Sequence, residues 1–241
     1  MSSSRFLFPL YLILSFALLL RLATSYETIY QCSGTNISAN GLYSQNLNNL
    51  LTYLDSKTPL TGFGSGSLGL NQSQAYGLAL CRGDLNTTEC KACVDTAIKE
   101  IQTICQFTEA IIWYDYCQLR YSDLNFLGEI DEQIWFLFGE PTNVSNPVYF
   151  NEKVLELLVN LTNETYVSPK MYAEGTMGIG NSTTLYGMVQ CTRDLSNTDC
   201  KSCLSEVINF IPQYLYGKQG GKGVGGSCNV RFEIFPFLIS A

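Results

Sequence analysis

The segments YGLALCRGDLNTTECKACVDTAIKEI (Tyr76–Ile101) and YGMVQCTRDLSNTDCKSCLSEVINFI (Tyr186–Ile211) align without a gap, 110 residues apart. Each carries C-x8-C-x2-C: Cys81, Cys90 and Cys93, then Cys191, Cys200 and Cys203. A repeat this long, with every cysteine in register, marks a duplicated domain rather than a solenoid unit. Asn86 and Ser196 each stand three residues before an acid, Glu89 and Asp199, so a helix starts between the first two cysteines of each copy. Its apolar stripe runs through Cys90, Cys93, Val94, Ala97, Ile98 and Ile101, matched by Cys200, Cys203, Leu204, Val207, Ile208 and Ile211. Cysteines three apart on that stripe both face the core, where each can pin the helix to a different part of a sheet.

Working outward, each repeat is expected to begin with an amphipathic helix. Tyr43, Leu47, Leu50, Leu51 and Leu54 recur at helical spacing, and Phe150, Val154, Leu157, Leu158 and Leu161 repeat the pattern 107 residues later. Glycine-rich alternating stretches follow (62–70 and 172–180) and read as strands of a hairpin that runs into the first motif cysteine. AIIWYDYCQLRYS around Cys117 and GSCNVRFEIFPF around Cys228 close the repeats as strand patterns, with Arg120 and Arg231 each three residues after the cysteine. Two helices over an antiparallel sheet make each repeat an α+β domain. GKQGGKGVGG (Gly217–Gly226) reads as a flexible loop feeding the last strand, since it lacks the phosphate-loop pattern that its composition suggests.

The expected organisation is a signal peptide (1–25), a first repeat (26–125), an apolar interdomain segment (126–147) and a second repeat (148–241). Arg5, the apolar run Phe6–Leu20 and the small-residue site Ala23-Thr24-Ser25 have the three-part pattern of a secretory leader. Cleavage leaves 216 of the 241 residues and, with Arg5 and Arg21 gone, moves the formal charge from −7 to −9. Ile130, Ile134, Trp135, Phe136, Leu137 and Phe138 in the interdomain segment need burial. They are expected to pack between or against the two domains; the alternative is that Trp135–Phe138 is an extra strand of the second.

All ten cysteines lie beyond the cleavage site, and the chain has no histidine. Thiols entering an oxidising lumen become cross-links far more readily than metal ligands. Zinc sites that use histidine are excluded outright, which leaves only an all-cysteine alternative from the two C-x2-C pairs. No cofactor is expected. Seven Asn-x-Ser/Thr sequons, at Asn36, Asn71, Asn86, Asn143, Asn160, Asn163 and Asn181, fit an extracellular glycoprotein with outward-facing loops. An acidic chain without a basic stripe is not a nucleic-acid binder. Asp84 and Asp194 recur in the two copies, but an Asp just ahead of a helix cap reads as a turn residue.

The tandem C-x8-C-x2-C, together with YGLALCRGDL, NVSNPVYFN, GKQGG and CNVRFEIFPF, resembles the plant cysteine-rich repeat secretory proteins. Their repeat is the ginkbilobin-like, or stress-antifungal, domain, which also builds the ectodomains of cysteine-rich receptor-like kinases and plasmodesmata-located proteins. The resemblance covers nearly the whole mature chain, and because the sequence stops at Ala241 without a membrane anchor it is to the secreted branch, in the apoplast. It implies the bridges Cys32–Cys105, Cys81–Cys90 and Cys93–Cys117 in the first repeat, and Cys191–Cys200 and Cys203–Cys228 in the second. Counting from shared elements, Gly139 stands where Cys32 falls and Tyr214-Leu215 where Cys105 falls, so both ends of one bridge are missing together and the second repeat is expected to be the less stable half.

The resemblance also implies a mannose site, formed by an Asn just after the first cysteine, an Arg six before the last and a Glu five after it. In the first repeat these positions hold Ser33, Ile111 and Ser122, which cannot reproduce that charge pattern. In the second they hold Glu140, Lys222 and Glu233. Lys222 and Glu233 supply a donor and an acceptor for sugar hydroxyls, although lysine lacks the planar fork of arginine. The plainer reading makes Lys222 a solvated loop lysine and Glu233 an exposed strand residue. The function expected is a non-catalytic extracellular recognition module for another extracellular protein or receptor ectodomain in stress or defence signalling. The alternative is a mannose-binding antifungal lectin.

Overall fold

The computed structural model describes residues 28–131, 135–180 and 183–239, so the leader 1–25 and the Asn181 sequon lie outside the described residues. Each repeat contributes one antiparallel sheet and two helices. The first contains β1 (Ile29–Asn36), α1 (Leu42–Thr61), β2 (Phe63–Leu68), β3 (Ala75–Cys81), α2 (Thr87–Ile104), β4 (Phe107–Trp113) and β5 (Cys117–Ser122). The second contains β6 (Trp135–Gly139), α3 (Pro147–Val167), β7 (Tyr172–Ile179), β8 (Thr183–Cys191), α4 (Asn197–Tyr214), β9 (Gly221–Gly225) and β10 (Cys228–Glu233). Strand orders β1-β4-β5-β3-β2 and β6-β9-β10-β8-β7 are the same topology written twice.

The helices form where the apolar periodicity placed them. Leu50, Leu51 and Leu54 of α1 are at most 1% exposed, and burial on this scale stabilises by about 1.5–3 kcal/mol per leucine. The Asn86 side chain accepts from the Thr88 and Glu89 amides while Glu89 accepts from the Asn86 amide, a complete capping box that starts α2. Ser196 caps α4 through the Asp199 amide. Helix α1 stops at Gly62, whose φ of 81° a β-carbon would disfavour. Bridges join Cys32–Cys105, Cys81–Cys90, Cys93–Cys117, Cys191–Cys200 and Cys203–Cys228, and no described cysteine is free.

Three sequence expectations are corrected. Each repeat opens with a strand, β1 or β6, rather than with its first helix. AIIWYDYCQLRYS is a hairpin, β4 and β5, with Asp115 in its turn. Gly217–Gly226 is not a free loop, because its second half is β9, hydrogen-bonded on one side to β6 and on the other to β10. Glycine disfavours strands in general. Here it is needed, since a β-carbon at Gly223 would lie 2.6 Å from Val207 Cγ2 and one at Gly221 2.8 Å from Leu215 Cδ1. The absent side chains let α4 settle onto the sheet.

Of the two readings of Trp135–Phe138, the extra strand is the one adopted, as β6 pairs with β9. Leu137 and Ile130 pack against the second core, while the Phe136 ring meets Trp113 of the first domain edge-on at 5.5 Å. The segment 126–147 therefore divides, its last strand belonging to the second sheet.

The register locates the lost bridge. Cys32 pairs with Ala110 and Gly139 with Gly221, and Ala110 and Gly221 each stand seven residues before the last cysteine of their repeat. Cys105 and Leu215 are both helix C-caps. A β-carbon at Gly139 would sit 3.0 Å from Leu215 Cδ2, so an apolar contact occupies the place of the disulfide.

Strand alternation sends Ala79, Cys81, Ile112 and Leu119 toward the first helical layer and leaves Leu78, Leu80, Ile111, Trp113 and Gln118 buried on the opposite face. That face meets the corresponding face of the second sheet, which carries Met188, Gln190, Val224 and Asn229, giving four layers with helices outside. Trp113 Nε1 donates to the Gly225 carbonyl at 2.9 Å, Gln118 Nε2 to Gly226 at 2.7 Å, and Gln190 Nε2 to Cys81 at 2.9 Å.

The segments after β5 and β10 reinforce this arrangement reciprocally. Gly128 N donates to Asp194 at 2.9 Å, and Ile239 N donates to Asp84 at 3.0 Å. Arg120 lies over Phe126 at 4.1 Å and Arg231 over Phe237 at 4.4 Å. Each repeat thus extends its tail across the other's turn between motif strand and helix, which gives the recurring Asp84 and Asp194 their role. Asp84 also accepts from Nε and Nη2 of Arg82, at 2.7 and 2.8 Å, in a pair almost wholly buried.

Two stability outcomes follow from these contacts. Gly139→Cys with Leu215→Cys is expected to form a sixth bridge and stabilise the second repeat by up to about 4 kcal/mol, read from urea unfolding with and without reductant. Unchanged oxidised stability would show that the two positions do not meet. Arg82→Met strands a buried carboxylate and is expected to cost about 3 kcal/mol or more in the same assay.

Candidate functional site

The positions singled out in the second repeat converge. Lys222 lies in β9 opposite Phe138 of β6 and Arg231 of β10, so adjacent strands set these side chains in one row. Glu233 ends β10, and Glu140 directly follows β6, its amide donating to the Gly220 carbonyl at 2.9 Å. Together with Gly139, Gly221, Ile29 and Asp115 they line a cleft of about 250 Å³. Ile29 and Asp115 belong to the first domain, so the cleft is built by both repeats.

Asp115 was not singled out from the sequence, nor was Arg231 as a site residue, yet these two organise the charges. Asp115 Oδ1 accepts from Lys222 Nζ at 2.9 Å, and Asp115 Oδ2 lies 3.5 Å from Arg231 Nη1. Arg231 Nε donates to Glu233 Oε1 at 3.1 Å. Lys222 is therefore not a solvated loop lysine but a partly buried strand residue in an interdomain ion pair. Glu233 is not exposed either, being 3% accessible, and among the described residues its Oε2 has no hydrogen-bond partner. The only sequence signal for Asp115 was an acid in the turn of YDYC, and a turn acid is ordinarily unremarkable. Its significance depends on which surface the hairpin meets.

Burial raises the Glu233 carboxyl above the usual glutamate range. Arg231 opposes that shift by charge and hydrogen bond, and the nearby Glu140 and Asp115 add to it. Glu233 Oε2 thus lacks a partner among the described residues in a cleft where Lys222, Arg231 and Asp115 are engaged with one another. Among the described residues no group of three or more His, Cys, Asp or Glu side chains is placed to hold a metal ion.

The equivalent positions of the first repeat form no such site. Ile111 is buried in the contact between sheets, Ser122 accepts from the Leu124 amide, and the exposed Ser33 hydroxyl donates to Glu109. Of the sequons, Asn36, Asn71, Asn86, Asn143, Asn160 and Asn163 are all exposed, and Asn160 and Asn163 lie on α3 rather than in a loop. The Asn86 side-chain oxygen is engaged in capping α2.

Comparison with known proteins places this architecture. Residues 31–124 and 139–234 each match the family described as salt stress response/antifungal. The chain is 46% identical to an antimicrobial ginkbilobin-2-like protein of Castanea crenata, over 99% of both chains. It is 43% identical to cysteine-rich repeat secretory protein 38 of Arabidopsis thaliana, covering 88% of this chain and 86% of that one. Among solved structures, the tandem DUF26 ectodomain of the Arabidopsis thaliana cysteine-rich receptor-like protein PDLP8 superposes with a TM-score of 0.76 at 25% identity, over 87% of this chain and 99% of that one.

The raised Glu233 sets a pH signature. Its folded form binds its proton more tightly than the unfolded chain, so the stability it contributes is complete below the ordinary glutamate pKa and is lost as pH rises through the raised one. Glu233→Gln is expected to flatten that part of the stability profile, measured as urea midpoint against pH. An unchanged slope would place the titration elsewhere.

Proposed function

The chain belongs to the salt stress response/antifungal family, and on that footing we propose that it is a secreted, non-catalytic recognition module acting in stress or defence signalling. It is an extracellular protein, in keeping with its secretory and ectodomain relatives and with five disulfides that an oxidising compartment maintains. The observation that carries the reading is the composite cleft: two domains docked sheet to sheet present one surface that neither repeat could build alone. Lys222, Arg231 and Asp115 are engaged with one another rather than poised for proton transfer, and the absence of histidine removes the commonest general base. The partner class is another extracellular protein or receptor ectodomain.

A second reading, binding of a mannose-type glycan, is favoured by the convergence of Glu140, Lys222 and Glu233 on one cleft. Two features weigh against it. Lys222 is already committed to Asp115, and Glu140 offers no amide donor to a sugar hydroxyl.

Mature oxidised protein is to be screened against extracellular receptor ectodomains and, in parallel, titrated calorimetrically with mannose and yeast mannan. Capture of an ectodomain without saturable sugar heat is the expected result. Sugar binding that disappears in both Lys222→Ala and Glu233→Ala would replace the protein-recognition reading with the lectin one.

A further inference from the structure

The interdomain cleft carries three carboxylates, Asp115, Glu140 and Glu233, against two cations, Lys222 and Arg231. Both cations are engaged, Lys222 with Asp115 and Arg231 with Asp115 and Glu233 Oε1. The residual charge is negative. It is focused beside Glu233 Oε2, an oxygen without a hydrogen-bond partner among the described residues, on a residue only 3% exposed. Leaving a buried carboxylate oxygen unbonded is costly, so the site lacks a donor. Oε2 lies against the Gly220 backbone, where a β-carbon would fall 1.6 Å from it, and Glu233 lines the cleft, which is the side from which a donor can approach. The ring of Phe138 in the cleft wall already carries Lys222, whose Nζ lies 5.7 Å from its centroid, so Lys222 is held by Phe138 as well as by Asp115.

We propose that this cleft receives the cationic end of one Lys or Arg side chain presented by a protein partner. The ammonium or guanidinium donates to Glu233 Oε2 and is balanced by Glu140. A neutral polyol could satisfy the oxygen but would leave the excess negative charge uncompensated, whereas a cation answers both. Asp115 acts as a positioning residue, since by engaging Lys222 and Arg231 it keeps them from opposing the incoming charge. The volume of about 250 Å³ suits a single long side chain rather than an extended strand or a helix. This inference rests on the reading of the protein as a recognition module and specifies what its partner presents.

Isotope-labelled mature protein is to be titrated with N-acetyl-arginine amide, with its neutral isostere N-acetyl-citrulline amide, and with mannose, following backbone amide resonances. The arginine derivative is expected to shift the signals of Gly220, Gly221 and Glu233, with citrulline at least about tenfold weaker, as expected when charge assists the hydrogen bond. Glu233→Gln should lose at least about tenfold in arginine affinity, the loss of a charged hydrogen-bond partner. Glu140→Gln, a change at a more exposed residue, keeps the test decisive if Glu233→Gln folds poorly. No response to the arginine derivative, an equal response to citrulline, a response to mannose alone, or binding indifferent to both variants would each overturn the proposal. A captured ectodomain that binds both variants undiminished would overturn it while sparing the recognition-module reading, whereas that reading itself falls if no ectodomain is captured.

Discussion

The contact between the helix-free faces of the two sheets is the constraint on which the rest of the molecule depends. A five-stranded sheet with helices on one side leaves its other side apolar, and in each repeat that side holds buried residues: Leu78, Leu80, Ile111 and Trp113 in the first, Met188 and Gln190 in the second. Neither face could remain in water without exposing a patch of the kind that drives association. Duplication resolves this internally, because each copy covers the other. Three side-chain N–H groups crossing to backbone carbonyls fix the register of the contact. Each contributes only about 1 kcal/mol net, but a wrong register would leave buried polar groups unpaired at greater cost.

From that docking the reciprocal tails and the cleft both follow. Once the faces meet, the chain leaving β5 runs past the Asp194 turn and the chain leaving β10 runs past the Asp84 turn, so one hydrogen bond is made twice. The copies nevertheless differ at the cleft. The first repeat keeps Cys32–Cys105 and has Ile111 in the sheet contact, whereas the second has Gly139 against Leu215 and Lys222 facing the cleft. Loss of the bridge leaves β6 without a covalent tie to α4, and the glycine left there helps to line the cleft. The repeat without the third bridge is the one whose Glu140, Lys222 and Glu233 line the cleft.

Electrostatics in the cleft are those of a boundary and not of a surface. Asp115 and Lys222 are far apart in sequence and come from different domains, yet their pairing removes the free lysine that a sugar-binding reading requires. Glu233 gains a raised proton affinity from burial and neighbouring carboxylates while held by Arg231. A ligand of a cleft built by both domains would be thermodynamically linked to the docking of the sheets.

Much of this architecture was written in the sequence. The gapless copy of C-x8-C-x2-C announced two α+β domains, the Asn86 and Ser196 caps located α2 and α4, and the leucine spacing located α1 and α3, because helix periodicity and capping are local properties. The alignment of the copies likewise marked Gly139 and Tyr214-Leu215 as the site of the missing bridge, which the structure narrows to Leu215. Strand β9 was not legible, since a run of glycines signals a loop unless neighbouring strands and an approaching helix demand that there be no side chains. Nor was the two-way role of the interdomain segment, whose apolar residues fit a strand and a packed linker equally well. Glu140, Lys222 and Glu233 could be named from their positions, but their state could not: whether Lys222 is solvated or paired, and whether Glu233 is exposed or buried, depends on Asp115 arriving from the other domain. Local sequence determines which side chains share a face of one element, and only the tertiary structure decides which charges from distant elements meet across a boundary, because Coulombic pairing and desolvation depend on distance in space.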